Sequence, residues 1–524
     1  MFSGEIPSWL NVTLLRNGPG MNKVGGYSFA HWFDGLAFMQ RFYFKDGKMK
    51  YSARYLQSEA YQFHKSNERV VIDKHGYARK LPDPCKVALG PLSTQLLEDG
   101  ISDNASINFI TVGDTVWAAA ESTKLHQIDP KTLDTIGKVN IREIITLNSF
   151  TAHQQYDHDG NIYHIGVIYG QETTYVFAVT KNPKNSDNPN LENPFTETSI
   201  IGTIPATDEP SYFHSFGMTD NYIIAFESPL KLNLHSDDFT NLDCLFWKKD
   251  TPVYVRVLDK RTGKEIDQKF CHAPFFAFHH ANAYEKDGCL VVDYCQFSQP
   301  DLHMFDLKNL RKGSLVSVQS KDEFAYGSRM IIPVNNEIIN NAKIGDDLLK
   351  DKEFANGCTA VLKEKGIIWL EHKILNKEFA NGCTAVLKEE RIIWLEHKIL
   401  SDIAFEFPRY NLNYNLKPYN YIYGSILLGM PETLDGLVKV NVETGKTISW
   451  IRDHNKQIAT EPIFVPYPEA KDEDDGLILA PVITFEDNDF PFVVILDAKT
   501  FTEVARCKID HPLPLSFHAQ FYPN

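Results

Sequence analysis

The sequence has no CxxC pair, no block of basic residues and no apolar run long enough to cross a membrane, which takes roughly 18 residues. Each absence removes a class of protein. The eight cysteines (Cys85, Cys244, Cys271, Cys289, Cys295, Cys358, Cys383, Cys507) fall at irregular spacings. A chain of 524 residues needs no disulfide staples, so they read as buried or free thiols in a reducing compartment. Nothing at the N-terminus reads as a signal peptide, and the Asn11-Val12-Thr13 sequon is then meaningless. Lys and Arg number 53 against 68 Asp and Glu, a net charge of −15. Without a positive face to neutralise phosphates, nucleic acid is excluded as the partner. Any membrane contact has to be peripheral.

What the chain does have is short runs rich in Val, Ile, Tyr and Phe, bounded by Gly, Asn, Asp and Pro. Ile107–Val112, Tyr163–Ile168, Tyr222–Phe226, Val253–Leu258, Leu290–Tyr294 and Phe492–Leu496 are examples. They read as strands, few segments carry a helical period, and the fold class is all-β. A finer repeat accompanies them: an apolar residue, then Asp or Asn, then a short turn with Thr and often Gly. It occurs at Ile128–Thr132, Leu258–Gly263, Val440–Gly445 and Leu496–Thr500, with a weaker copy at Phe305–Asn309. Each is expected to be an Asx-type turn closing a hairpin. One kind of turn recurring along a chain is what radially repeated blades produce.

Lys352–Leu375 and Lys377–Leu400 are tandem copies that differ only at Lys365/Glu390 and Gly366/Arg391. Blades diverge far more than this, so the duplication is not the blade repeat. Each copy reads as a hairpin, Thr359–Lys363 followed by Ile367–Leu370 in the first and ending with Ile392–Leu395 in the second. A closed propeller has one slot for it. Ordering a second copy without burial costs about 1–2 kcal/mol per residue, so it is expected to bulge from the surface. Because the copies end just before Glu406, they are placed to disturb that residue.

Of 18 histidines, four stand in apolar or turn-like segments at the ends of strand-like runs: His153, His214, His279 and His518. An aromatic residue directly precedes three of them (Phe213, Phe278, Phe517). A lone histidine of this kind is most often a hydrogen-bonded core residue. No HxH or HExxH spacing ties the four together, so pattern alone leaves both core and metal readings open.

Longer motifs narrow the choice. Leu14-Leu15-Arg16-Asn17-Gly18-Pro19-Gly20, His31-Trp32-Phe33-Asp34-Gly35, Pro82-Asp83-Pro84-Cys85-Lys86, Ser211–Thr219, Phe278–Glu285, Phe405-Glu406-Phe407-Pro408, Glu461-Pro462-Ile463-Phe464 and Glu473-Asp474-Asp475-Gly476 occur in order along the chain. In these the sequence resembles the carotenoid cleavage oxygenases, specifically the animal branch that includes β-carotene oxygenases and the retinoid isomerohydrolase. The resemblance implies one domain over residues 1–524, a seven-bladed β-propeller with iron on its axis and loops or short helices capping one face. It implies Fe(II) held by His153, His214, His279 and His518, and O2 as co-substrate. Glu121, Glu406 and Glu461 are implied partners of His214, His279 and His518, leaving His153 without a carboxylate.

Such a set is chemically coherent. Four neutral imidazoles bring no charge, and carboxylates behind them fix tautomers and offset the 2+ ion. The implied activity is oxidative cleavage of a conjugated double bond in a carotenoid, both oxygen atoms ending in carbonyl products, retinal or apocarotenals. Isomerisation or hydrolysis of a retinoid ester is the alternative within the family, and a lipid-binding propeller without catalysis is the alternative outside it. An insoluble substrate implies a cytoplasmic protein in peripheral contact with a membrane. The sequence opens inside the first family motif, which leaves open a preceding segment and, with it, a mitochondrial location. One departure stands at the first histidine, where Thr151-Ala152-His153-Gln154-Gln155 replaces the family's Thr-Ala-His-Pro-His.

Overall fold

The computed structural model describes residues 4–66, 102–170, 172–186, 191–233, 245–310, 324–364, 391–426 and 435–524. The Pro82–Lys86 motif and Cys85, Cys244 and Cys383 lie outside them.

Strands account for nearly all the regular structure, and burial separates inner from outer ones. Gly476–Thr484 and Phe492–Asp497 are buried almost throughout, the continuous apolar reading of a strand covered on both faces. The outer strands Lys48–Tyr55 and Glu503–Lys508 alternate instead, with one face in water. In most sheets chain order runs outward from one edge: Asn108–Val112, Thr115–Ala119, Lys124–Ile128 and Thr135–Asn140 lie side by side in sequence. This is the arrangement of a β-propeller.

The chain ends close the ring. The C-terminal strand Ala519–Pro523 pairs antiparallel with Val12–Arg16, whose other side pairs with Leu36–Lys45. Gly18 sits where this closure is tightest: a Cβ there would stand 2.5 Å from the Cα of Ser516, so only glycine lets the two backbones meet.

Four of the predicted turns share one geometry. The side-chain oxygens of Asp129, Asn441 and Asp497 each accept two N–H groups of the turn that follows, and Asp259 accepts from Arg261 N–H. The fifth residue of each turn is left-handed, Leu133, Gly263, Gly445 and Phe501. Each turn follows the third strand of its sheet and leads to a strand that pairs back on it. The weaker copy is different: Asp306 ends a 3-10 turn and leads into the helix Leu307–Leu310.

Six sheets among the described residues are regular blades of four or five strands, not the seven regular blades expected. A seven-stranded sheet starts in the same way, with Gly217–Met218, Tyr222–Glu227, Val253–Asp259 and Lys269–His272. It then continues through a parallel pairing of Lys269–Cys271 with Ile392–Trp394 into the hairpin Thr359–Glu364/Arg391–Glu396. The single slot is filled by the first strand of copy one and the second strand of copy two. Residues 365–390, where the second copy was expected to bulge, lie outside the described residues. Among the described residues no helix is long and apolar enough to cross a membrane.

Candidate metal centre

Each of the four histidines stands at the start of the edge strand of a different sheet. His279 and His518 directly precede His280–Lys286 and Ala519–Pro523. His214 lies three residues before Gly217–Met218, and His153 two before Gln155–Tyr156. The edges converge, and the nitrogens available for ligation all lie within 4.8 Å of one another. Hydroxyls tie the segments together: Thr151 Oγ1 donates to the His214 carbonyl at 2.5 Å, and Ser215 Oγ to the Phe278 carbonyl at 2.6 Å. Gln154 and Gln155, the departure from the family pattern, donate to the carbonyls of Thr151 (2.6 Å) and Phe216 (3.1 Å) and so hold the His153 segment from both sides.

Three carboxylates stand behind three of the rings. The Nδ1 of His214 is 2.5 Å from Glu121, that of His279 is 2.5 Å from Glu406, and that of His518 is 2.8 Å from Glu461. Each Nδ1–H donates to its carboxylate, which leaves the Nε2 lone pairs facing inward. There the Nε2 atoms of His214 and His279 are 3.2 Å apart, as are those of His279 and His518. In the tautomer that donates Nδ1–H to the carboxylate, these contacts set lone pair against lone pair. The buried Nε2 of His153 has no hydrogen-bond partner.

Protonation is no remedy for His153, His214 or His518. Burial holds all three below the ordinary histidine range, His518 down to about 3, and the neighbouring imidazoles add to the effect. A cation at the convergence point relieves all these contacts at once, and neutral imidazoles are the form in which histidine binds one. The donor set therefore fits a metal ion. Glu461 is kept ionised although burial opposes it, because Arg409 and His518 together lower its pKa.

The segment Glu406–Arg409 is locally unusual. Its pairing with Tyr421–Ile426 shifts register between Glu406 and Arg409, and Phe407 has φ 54°. Residues three apart on a regular strand point to opposite faces. The bulge resets the alternation, so Glu406 reaches His279 and Arg409 reaches Glu461 (Nε to Oε1, 2.9 Å). Left-handed backbone at a phenylalanine costs about 1–2 kcal/mol. The copied segment upstream does not displace Glu406.

Two unlike spaces meet at the histidines. One is a cavity walled by aromatic rings, among them Trp32, Phe33, Phe278, Phe305, Phe405 and Phe517. The other is polar, with Gln154, Gln155, Asp157, Arg409, Asn415 and Gln520 in its wall. Phe407, His279 and His518 border both.

Sequence reasoning passed over Tyr212 and Arg409, which contact Glu121 and Glu461. Their signals were weak but present. Tyr212 lies two residues before His214, on the same face of an extended segment, whereas Arg409 is legible only once the bulge is known. It also gave no role to Trp32 and Phe33, although their motif was noted.

Comparison with known proteins supplies the family. The profile of the retinal pigment epithelial membrane protein (RPE65) family matches residues 1–523. The chain belongs to the RPE65/carotenoid cleavage oxygenase family. It is 32% identical to the beta,beta-carotene 15,15'-dioxygenase of Rattus norvegicus, over all of this chain and 88% of that protein. It is also 32% identical to the mitochondrial carotenoid-cleaving dioxygenase of Pongo abelii, over 99% of this chain and 91% of that one. Among solved structures, an ACO/RPE65 chimera matches with a TM-score of 0.72 and 20% identity, covering 100% of this chain and 95% of the chimera. Cobalt-substituted Synechocystis ACO matches with a TM-score of 0.72 and 19% identity, at the same coverage. At those identities the structures speak for the fold. The enzyme is an oxygenase.

Proposed function

We propose that the chain, acting as one domain, is an iron(II)-dependent dioxygenase that cleaves a conjugated double bond of a carotenoid to two carbonyl products. The observation that carries the reading is the convergence of four imidazoles, three of them (His214, His279 and His518) on the wall of an aromatic cavity. His153, His214, His279 and His518 would hold the ion, with Glu121, Glu406 and Glu461 fixing three of them from behind. Iron, when bound, supplies the redox partner that lets triplet dioxygen react with a closed-shell alkene.

The chain's own residues do the rest. A polyene is apolar and planar, and the aromatic walls bury it by offset stacking and exclusion of water. Phe407, set against His279 and His518 with ring centroids 5.3 and 5.2 Å away, would press the polyene's reacting bond toward the ligands. Carboxylates hold the Nδ1 protons, so the Nε2 atoms remain donors throughout. The polar space on the far side offers water and small molecules a route that does not cross the polyene. An insoluble substrate also calls for peripheral contact with a membrane.

The test is incubation of iron-loaded protein with β-carotene in detergent under air, with products separated and weighed. Retinal marks central cleavage, and a longer apocarotenal with an ionone fragment marks eccentric cleavage. Iron-replete protein that yields no aldehyde would defeat the proposal and favour a retinoid substrate.

A further inference from the structure

The three carboxylates behind the imidazoles are not equivalent. Glu121 accepts from a neutral donor, the Tyr212 hydroxyl, at 2.7 and 2.9 Å. Glu406 accepts the Phe407 N–H at 2.7 Å, and its other oxygen is buried without a hydrogen-bond partner. Glu461 is met by a guanidinium. Arg409 Nε donates at 2.9 Å to Oε1, the same oxygen that accepts from His518 at 2.8 Å, and the Ala519 N–H holds Oε2 at 2.6 Å. Arg409 is itself anchored by a second bond to the Ala519 carbonyl at 2.8 Å. Behind this corner lies the buried Arg16. It donates to the Thr460 hydroxyl and to the carbonyls of Ser516 (2.7 Å) and Phe517 (3.3 Å), each next to or near Glu461 or His518 in sequence.

We propose that Arg409 is a positioning residue that raises the reduction potential of the iron and so favours the ferrous state; this rests on the iron reading above. A carboxylate that draws on the Nδ1 proton makes an imidazole a stronger donor, which stabilises the higher oxidation state. A guanidinium on the same carboxylate oxygen takes much of that pull away, so His518 is the weaker donor. Arg409 also places a positive charge close to the ligands in a poorly screened interior, where it opposes 3+ more than 2+. The two effects have the same sign. The bulge at Phe407 is what makes them possible, because a regular strand carrying Glu406 to His279 would turn Arg409 away.

The experiment is a mediated redox titration of the Fe(III)/Fe(II) couple in iron-loaded wild type, R409Q and R409K, following the high-spin ferric signal by electron paramagnetic resonance. Iron content and near-ultraviolet circular dichroism of each protein are measured alongside. R409Q should move the ferric-to-ferrous ratio at fixed potential at least tenfold toward ferric, about 59 mV for one electron. R409K keeps the charge and should stay within about threefold of wild type. An iron-replete, folded R409Q that titrates like wild type overturns this proposal and leaves the iron reading intact. Wild-type protein that takes up no iron overturns the iron reading, and this proposal with it. If R409Q does not retain iron, R409K decides: a shift beyond threefold with the charge kept overturns the assignment of the effect to charge.

Discussion

The centre of the molecule and its rim treat sequence in opposite ways. At the centre four histidines from four sheets meet within 4.8 Å, and each of three Nδ1 atoms has one carboxylate at hydrogen-bond distance. No residue there has a duplicate. At the rim an almost identical 24-residue segment occurs twice, yet one hairpin fills the available edge, with one strand from each copy. A buried polar constellation tolerates no exchange, because an orphaned donor or acceptor loses its full solvation. An outer edge asks only for a strand of suitable alternation. The difference separates what the chemistry constrains from what the fold merely accommodates.

Substitutions at the centre should therefore have the largest effects. His279→Ala removes the imidazole whose Nε2 is 3.2 Å from both His214 and His518. It is expected to abolish iron retention and cleavage together, read by metal analysis after gel filtration and by product assay. A variant that keeps stoichiometric iron would show that His279 is not a ligand. Glu406→Gln keeps the shape and removes the charge. The expected loss is about 10–100-fold in iron affinity or rate with the fold intact. Wild-type values of both would remove Glu406 from the site.

How far sequence reaches follows the same division. The strands and the Asx turns were legible because alternation and turn chemistry are local signals; the four histidines stood out by their apolar setting, but only the resemblance made them a ligand set. The carboxylate partners were named by resemblance, since 127 residues separate His279 from Glu406 and no local rule connects them. Arg409 was not legible because its direction depends on a left-handed phenylalanine, which propensity disfavours. The composite sheet escaped for another reason: two equal copies give pairing rules no preference, and the neighbouring sheet's free edge decides.

Between centre and rim lies the wall of the aromatic cavity. Phe405 is clamped by two glycines: a Cβ at Gly424 would stand 2.3 Å from its ring, and one at Gly327 would stand 2.5 Å away. Gly424→Ala must displace that ring, which lines the cavity. Overpacking of this kind costs about 1–3 kcal/mol, measurable by denaturant unfolding. A several-fold rise in KM for a carotenoid, with iron content unchanged, should accompany it. An unchanged KM would mean that Phe405 does not touch the substrate.

The smallest effect belongs to the rim. Deleting residues 367–391 removes 25 residues, one full repeat, and joins Gly366 to Ile392. The pairing of Lys363 with Ile392 is then closed by Glu364-Lys365-Gly366, a three-residue loop with glycine at its left-handed position. The strand that follows is still Arg391's neighbour Ile392 onward, so the parallel contact with Lys269–Cys271 is kept. Shortening a connection changes loop-closure entropy only slowly, by about 0.6 kcal/mol per halving of its length. The deletion should leave iron content and cleavage rate as in the full chain and raise the Tm by a few degrees at most. Loss of iron in the shortened protein would show that the second copy braces Glu406, and the contrast between a constrained centre and a tolerant rim would fail at that point.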